Sequence, residues 1–416
     1  VPPLTVIHAS GFCLGEAVEG VPELPPRVVD RLIEAPRKTL LRVAEMASRE
    51  GAHAVIFAGD VLNPATAAPG DWFAVFEFCQ RLASQHVPVI WLWSQLERCG
   101  PWPEEFPLPP NVHLFLGDEP CVSTVTTPGG PLQLVITSQA APLKTFPEKP
   151  SSLEGFTVGL AYGQDIGKGT NNPADEIETD YWALGGHRVR TEFDWAGVKA
   201  HDPGPAFVCF SDPEVIPAIT VLELHGPRKV FLRSLSVAAL RWHTLTVHVA
   251  AESTEPQLVS QIIQEVEARR AAGDADWLVR IRLEGSPHAL MPWRMKGFDR
   301  EILELLRMRY GQSPPYVWPI EVTWHPSDPW PETWLQEESF RGELLRQGLA
   351  LEATNPREFL SQCLPASELE LSQVFRGCPD QWQTGWPEIV REALFYGLVL
   401  LEENQPATRS GGGRAE

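Results

Sequence analysis

Residues 54–63, AVIFAGDVLN, decide the fold. The run Ala54–Gly59 is apolar or small throughout and reads as a strand buried on both faces, ending at Asp60. Upstream, LTVIHAS (4–10) reads the same way. Between them a helix is predicted around 35–49, with Leu40, Val43, Ala44 and Ala47 on one face. Downstream, a helix over about 71–84 leads into a third buried strand, VPVIWLW (87–93). Strands alternating with helices imply a largely parallel sheet covered by helices. In such sheets functional groups sit where strands end and loops begin.

From about 112 to 235 the pattern changes to short strands separated by turns: NVHLFLG, LQLVITS, FTVGLAYG, YWALGG, AFVCF, AITVLEL and KVFLRSL. These predict a second sheet packed on the first. The polar stretch DIGKGTNNPADEIETD (165–180) reads as an exposed loop. Its Gly167-Lys168-Gly169-Thr170 lacks the spacing of a phosphate-binding loop, because Lys168 is followed by Gly rather than Ser or Thr.

A second unit begins near residue 240. TLTVHVAA is a strand, and Thr254-Glu255-Pro256 signals a helix start. Leu258, Val259, Ile262, Ile263 and Val266 form that helix's apolar stripe. LVRIRLEG alternates Val279, Ile281 and Leu283 with Arg280 and Arg282, a half-buried strand. A helix over 298–309 and a strand near 316–324 complete a small α/β unit, and HPSDPWPETW (325–334) is a Pro-rich linker. The last stretch is helical. Its final helix has Pro387 near the start and Ile389, Val390, Ala393, Leu394, Leu398 and Leu401 on one broad face. That face either packs within the small domain or docks another protein's helices. The expected division is 1–238, an α/β two-sheet domain; 239–330, a small α/β domain; 331–404, a helical docking segment; and 405–416, a disordered tail.

Length and charge narrow the function. At 416 residues the chain exceeds one ordinary core. Its 40 prolines are about twice the ~5% average, so loops with fixed backbone angles are abundant. Net charge is -20, opposite in sign to a module that grips nucleic acid by displacing counterions. Seven scattered cysteines without CxxC spacing point to a reduced, cytoplasmic compartment. The first residues, VPPLTVIHAS, lack the features of a signal peptide, and the run Ala393–Leu401 is too short to span a bilayer.

Five segments carry a resemblance: VIHASGFCLG (6–15), VIFAGDVLN (55–63), VIWLWSQLE (89–97), GLAYG (159–163) and YWALGGHRVR (181–190). In order and spacing they resemble the metal-binding motifs of the calcineurin-like metallophosphoesterases, and most of all the SbcD-type DNA repair exonucleases of the YhaO-like branch. The connection LPPRVVDRLIEAPRKTLLRVAEMASREGAHAVIFAGDVLN (24–63) and the segment VRIRLEGSPHAL (279–290) look like that branch too. The resemblance implies a two-sheet sandwich flanked by helices, a small capping domain and a C-terminal segment that docks an SbcC-like coiled-coil ATPase. It also implies manganese-dependent cleavage of DNA ends, and it leaves a homodimer through the phosphoesterase domain open.

The chemistry that the resemblance implies is largely absent from the residues. A two-metal phosphoesterase holds its cations about 3.5–4 Å apart with carboxylate, amide and imidazole ligands. At the first motif the Asp and His positions fall on Gly11 and Cys13. Cys13 is either a soft-metal thiolate or a small buried residue. His8 lies inside the strand, as a core histidine or a ligand. The second motif keeps Gly59-Asp60, with Asp60 either a metal ligand or a turn cap. The third offers Gln95 in place of Asn, followed by Leu96, which cannot move a proton, and Glu97. At the fourth, Tyr162 stands at the His position. At the fifth, Gly186 and Arg188 fall on the two His positions with His187 between them, or His187 is the first of the pair and Val189 replaces the second. The expected remnant metal residues are therefore Asp60 and His187, with no catalytic residue and the ancestral manganese pair lost. The expected function is a catalytically degenerate SbcD-type subunit that scaffolds the ATPase in DNA repair and reaches DNA through the complex. The alternative is an active phosphodiesterase with a metal site rebuilt from Cys13, Asp60, Glu97 and His187. A third is an adaptor for a non-nucleic-acid partner, through its Trp- and Pro-rich surface.

Overall fold

The computed structural model describes residues 3–21, 24–117, 121–136, 155–163, 179–195, 197–210, 215–270, 275–312, 314–326, 330–352, 354 and 379–403. The loop containing Gly167–Thr170, the tail, and Cys363 and Cys378 lie outside these. Two compact units form: Val1–Trp242 with Asp274–Trp277, and His243–Gly273 with Leu278–Glu416. The small α/β unit and the C-terminal helices fall within the second.

The first unit begins as β1 (Leu4–Ala9), α1 (Pro26–Arg49), β2 (Ala54–Ala58), α2 (Pro69–Ala83), β3 (Val89–Leu92) and β4 (Val112–Phe115). These four strands run parallel, β1 to β2 to β3 to β4. Helix α1 starts nine residues before the position expected from the sequence, continuing through a buried Pro36 that would ordinarily mark a helix boundary. The shorter strands follow as β5 (Cys121–Thr127), β6 (Gly130–Ile136), β7 (Phe156–Tyr162), β8 (Tyr181–Gly185), β9 (Thr191–Trp195), β10 (Val198–Asp202), β11 (Ile219–Gly226) and β12 (Lys229–Leu235). Two six-stranded sheets result, in the orders β12-β11-β1-β2-β3-β4 and β5-β6-β7-β8-β10-β9.

Side-chain alternation along the strands divides the core. Ile7, Val55, Phe57, Val89 and Trp91 face α1 and α2, meeting Leu40, Val43, Val75 and Phe78. Val6, Ala54, Ile56, Ile90 and Leu92 face the second sheet, meeting Leu134, Val158, Leu160 and Tyr181. The expected two-sheet sandwich flanked by helices is thus the observed architecture.

Three strands expected in the second sheet, β4, β11 and β12, join the edges of the first instead, and one expected strand is not one. AFVCF (206–210) is an irregular segment laid beside the end of β1, pinned by Ala206 N–H to the Ser10 carbonyl (2.8 Å) and Phe207 N–H to the Gly11 carbonyl (3.0 Å). Its apolar side chains are buried by loop packing, not by a ladder. Conversely, β5, β9 and β10 were not legible as strands.

The second unit contains most of β13 (Leu240–His248), α3 (Glu255–Arg270), most of β14 (Asp276–Gly285), α4 (Pro287–Met295), α5 (Phe298–Tyr310), β15 (Val317–Pro326), α6 (Glu332–Leu335), α7 (Phe340–Glu352) and α8 (Pro379–Glu403). The strands form a sheet in the order β13-β14-β15. Val279, Ile281 and Leu283 are buried as the alternation predicts, while Arg280 reaches Glu321 (2.5 Å). Pro387 lies inside α8 rather than near its start. The broad apolar face of α8 divides: Val390, Leu394, Phe395 and Leu398 are buried, whereas Ile389, Tyr396 and Leu400 are exposed. Leu394 packs on Gly348 of α7, and Phe395 stacks on Trp324 of β15. No described helix is long and apolar enough to cross a membrane.

Candidate functional site

The loops after β1 and β2 run side by side. Gly11 N–H donates to the Gly59 carbonyl (3.2 Å), Phe12 N–H to that of Asp60 (2.8 Å) and Leu14 N–H to that of Val61 (3.2 Å). Both chains turn sharply to do this: Gly11, Cys13, Gly59 and Asp60 all have positive φ. Non-glycine residues rarely adopt that conformation, and Asp and Asn do so most readily.

Asp60 meets Tyr162 at the end of β7. The tyrosine hydroxyl donates to Asp60 Oδ2 at 2.6 Å. The Tyr162 ring also fills the space over two glycines, since a Cβ on Gly59 would come within 2.5 Å of it and one on Gly186 within 3.2 Å. Burial raises the Asp60 carboxyl above its usual range, the Tyr162 hydrogen bond opposes this, and the nearby Asp202 and Glu16 carboxylates add to the rise. Burial and Asp60 together push the Tyr162 phenol well up, so it stays protonated and donates.

Glu97 has a structural position. It sits in a short 3-10 turn, Leu96–Arg98, and is buried. Its Oε1 accepts from Val61 N–H (2.9 Å) and Trp91 Nε1–H (2.9 Å). Its Oε2 accepts from Ser94 N–H (2.6 Å) and Asp60 N–H (3.3 Å). One carboxylate thus ties the loop after β2 to the loop after β3. Burial pushes its carboxyl up to about 7 against the pull of these donors.

His187 turns to Asp202, a residue that no local spacing singles out. The backbone N–H and Nδ1–H of His187 both donate to Asp202 Oδ2, at 3.0 and 2.9 Å. Asp202 Oδ1 accepts from Gly204 N–H (2.8 Å) and Ser10 Oγ–H (3.3 Å). A fully buried carboxylate therefore orients the imidazole, the second half of a general-base arrangement. Its neighbour Arg188 lies over the Phe210 ring, 5.1 Å from its centroid. His8 is a core histidine, with Nδ1 accepting from the Tyr181 hydroxyl (2.9 Å) and Nε2–H donating to the Leu184 carbonyl (3.0 Å). Burial holds it well below the usual imidazole range.

Cys13 and Cys209 bring their Sγ atoms to 3.1 Å. Sharing a thiol proton raises Cys13 well above the ordinary range, and burial adds to this. The same contact lowers Cys209.

A pair of hard divalent cations needs carboxylate and imidazole groups converging from several loops. Asp60, Glu97 and His187 are instead committed to Tyr162, to four N–H donors and to Asp202, respectively. Among the described residues no three His, Cys, Asp or Glu side chains come together as a metal-holding group. The described residues do not present the donor set that a pair of hard divalent cations needs.

Two packed six-stranded sheets, with these loops at the ends of β1, β2, β3, β7 and β8, form a two-sheet α/β sandwich, and in sequence the chain is similar to a metallophosphoesterase. The relative that carries this is the uncharacterized metallophosphoesterase YhaO of Bacillus subtilis (strain 168), 21% identical over 346 residues, or 77% of this chain and 81% of that one. No family model matches. Among solved structures, the chain is similar to a predicted phosphoesterase from Streptococcus pneumoniae TIGR4 (12% identity, TM-score 0.25, 56% of this chain and 99% of that one). It is also similar to vacuolar protein sorting 29 from Cryptosporidium parvum (14% identity, TM-score 0.28, 57% and 100%).

Proposed function

We propose that this chain is a catalytically degenerate member of the metallophosphoesterases that works as a scaffold subunit for an SbcC-like coiled-coil ATPase in DNA maintenance. The observation that carries this reading is the Tyr162–Asp60 hydrogen bond: a protonated phenol caps the carboxylate that a metal would need. Partner docking requires none of the missing ligands. It requires an apolar helical surface, and α8 exposes Ile389, Tyr396 and Leu400 at i, i+7 and i+11, one stripe of the helix. The net charge of -20 agrees with a subunit that leaves most DNA contact to its partner.

Calorimetric titration of metal-stripped protein with manganese tests the degenerate half of the proposal. No binding up to millimolar manganese is expected, with no nuclease activity. Binding near two ions per chain, with cleavage abolished by Asp60→Ala, would overturn it in favour of an active phosphodiesterase.

A further inference from the structure

The contact between Cys13 and Cys209 joins residues 196 apart in sequence. It lies within a frame of main-chain bonds. Phe207 N–H donates to the Gly11 carbonyl (3.0 Å) on one side, and Glu19 N–H donates to the Cys209 carbonyl (2.7 Å) on the other. Trp242 Nε1–H holds the Val208 carbonyl at 3.0 Å. Cys13 itself is fixed in a left-handed conformation, φ 55°, between Gly11 and Gly15, which also have positive φ. Both thiols are half-buried rather than sealed, whereas Cys79 is fully buried. A disulfide has its sulfurs about 2.0 Å apart, so closure requires an approach of about 1 Å from the 3.1 Å contact.

We infer that Cys13 and Cys209 form a dithiol site that takes reversible disulfide modification by low-molecular-weight disulfides such as oxidised glutathione. One thiolate of the pair attacks a sulfur of the glutathione disulfide, forming a protein–glutathione mixed disulfide and releasing one glutathione thiolate. The second cysteine thiolate attacks the protein sulfur of that mixed disulfide. The Cys13–Cys209 bond forms and the second glutathione leaves. The two thiol protons pass to the two released thiolates, so two cysteine thiols are oxidised and one glutathione disulfide is reduced to two glutathiones. Closing this bond fastens the loop after β1 to the 205–210 segment. Phe210, next to Cys209, carries the Arg188 guanidinium, so the modification would register in the loop that holds His187. The inference is independent of the scaffold reading.

The test uses the full chain, reduced, desalted and incubated with oxidised glutathione at pH 8, then quenched with acid and N-ethylmaleimide and digested with trypsin without reductant. Cleavage at arginine and lysine places Cys13 alone in Val1–Arg27 and Cys209 alone in Ala200–Arg228. The expected product is these two peptides joined, lost on dithiothreitol treatment. In Cys13→Ser or Cys209→Ser protein, a glutathione adduct on the remaining cysteine replaces it. Exposed Cys99 reports whether the oxidant reached the protein. Glutathione on Cys99, with both peptides recovered as separate maleimide adducts, would overturn the inference.

Discussion

The Tyr162 hydroxyl lies 2.6 Å from Asp60 Oδ2 and donates to it. A phenol raised by burial keeps its proton throughout the working pH range, so the bond is always phenol to carboxylate. The pair joins the end of β7 to the turn after β2, and the phenol closes over the Asp60 carboxylate. Tyr162→Phe should therefore cost about 1–2 kcal/mol, the worth of a half-buried hydrogen bond to a charged group, with no gain of manganese binding. Asp60→Asn should be nearly neutral, because Asn both accepts the phenol proton and suits a φ of 57°. Asp60→Ala loses both and should be the more destabilising. Urea unfolding of the three variants checks this order. An Asp60→Asn protein less stable than Asp60→Ala would contradict it.

At Gly185, β8 passes close against β2 of the other sheet. A Cβ there would lie 1.7 Å from the backbone carbonyl oxygen of Ala58, which cannot move without parting β8 from β2. Gly185→Ala should destabilise by about 3 kcal/mol or more, as overpacking against backbone does. Gly226→Ala is the control, since nothing lies within 4 Å of its added Cβ and its change should stay within about 0.5 kcal/mol. Denaturant midpoints of the two variants provide the comparison, and an equal loss in both would show that β8 relaxes freely.

The fold was legible where burial is two-sided. Strands β2 and β3 are continuous apolar runs, and β1 is nearly so, because both faces are covered. Strands β9 and β10 were not legible, since TEFDW mixes charged and aromatic residues at the sheet edge and VKAHD interrupts its apolar positions with Lys199, His201 and Asp202. AFVCF misled for the opposite reason: it is apolar, yet it is buried as a loop. At the candidate site the sequence identified Asp60, Tyr162, Glu97 and His187 individually, and their partners were hidden. Asp202 is 15 residues from His187, and Cys209 is 196 from Cys13, so only the folded chain brings them together. Glu97 looked like a spare ligand because a buried carboxylate with four backbone and indole donors has no local signature.

The exposed stripe of α8 leads to a separable prediction. Tyr396 and Leu400 are one turn apart and exposed, while the neighbouring Phe395, Leu398 and Val399 are buried. A Tyr396→Glu/Leu400→Glu protein should fold with a denaturant midpoint close to that of the wild type. If the proposed scaffold role holds, it should also lose docking to the coiled-coil ATPase proposed as its partner, a change of tenfold or more in affinity for a central apolar contact. Titration of the purified ATPase against both proteins measures this. Unchanged affinity would remove α8 from the docking surface.

Glu97 sets a pH dependence whose sign follows from burial. Its carboxyl is pushed up to about 7 in the folded chain, against 4.5 for an unperturbed glutamate. Below the lower value the side chain is protonated in both states. As pH rises through the window, the unfolded chain releases the proton first while the folded chain retains it, so the unfolded state binds fewer protons and stability falls. Above about 7 both are ionised and the loss is complete. Between pH 5 and 7.5 this amounts to roughly 2 kcal/mol. Glu97→Gln removes the titration. It also loses acceptor capacity, since an amide turns its NH2 toward N–H donors, and should cost about 1–3 kcal/mol at the lower pH. Other groups titrate in this interval as well, so the informative quantity is the difference between wild type and Glu97→Gln in urea unfolding at the two pH values. A wild-type advantage that shrinks by about 2 kcal/mol as pH rises follows from burial. An advantage that grows would mean that the four N–H donors outweigh burial and hold Glu97 ionised in the folded chain.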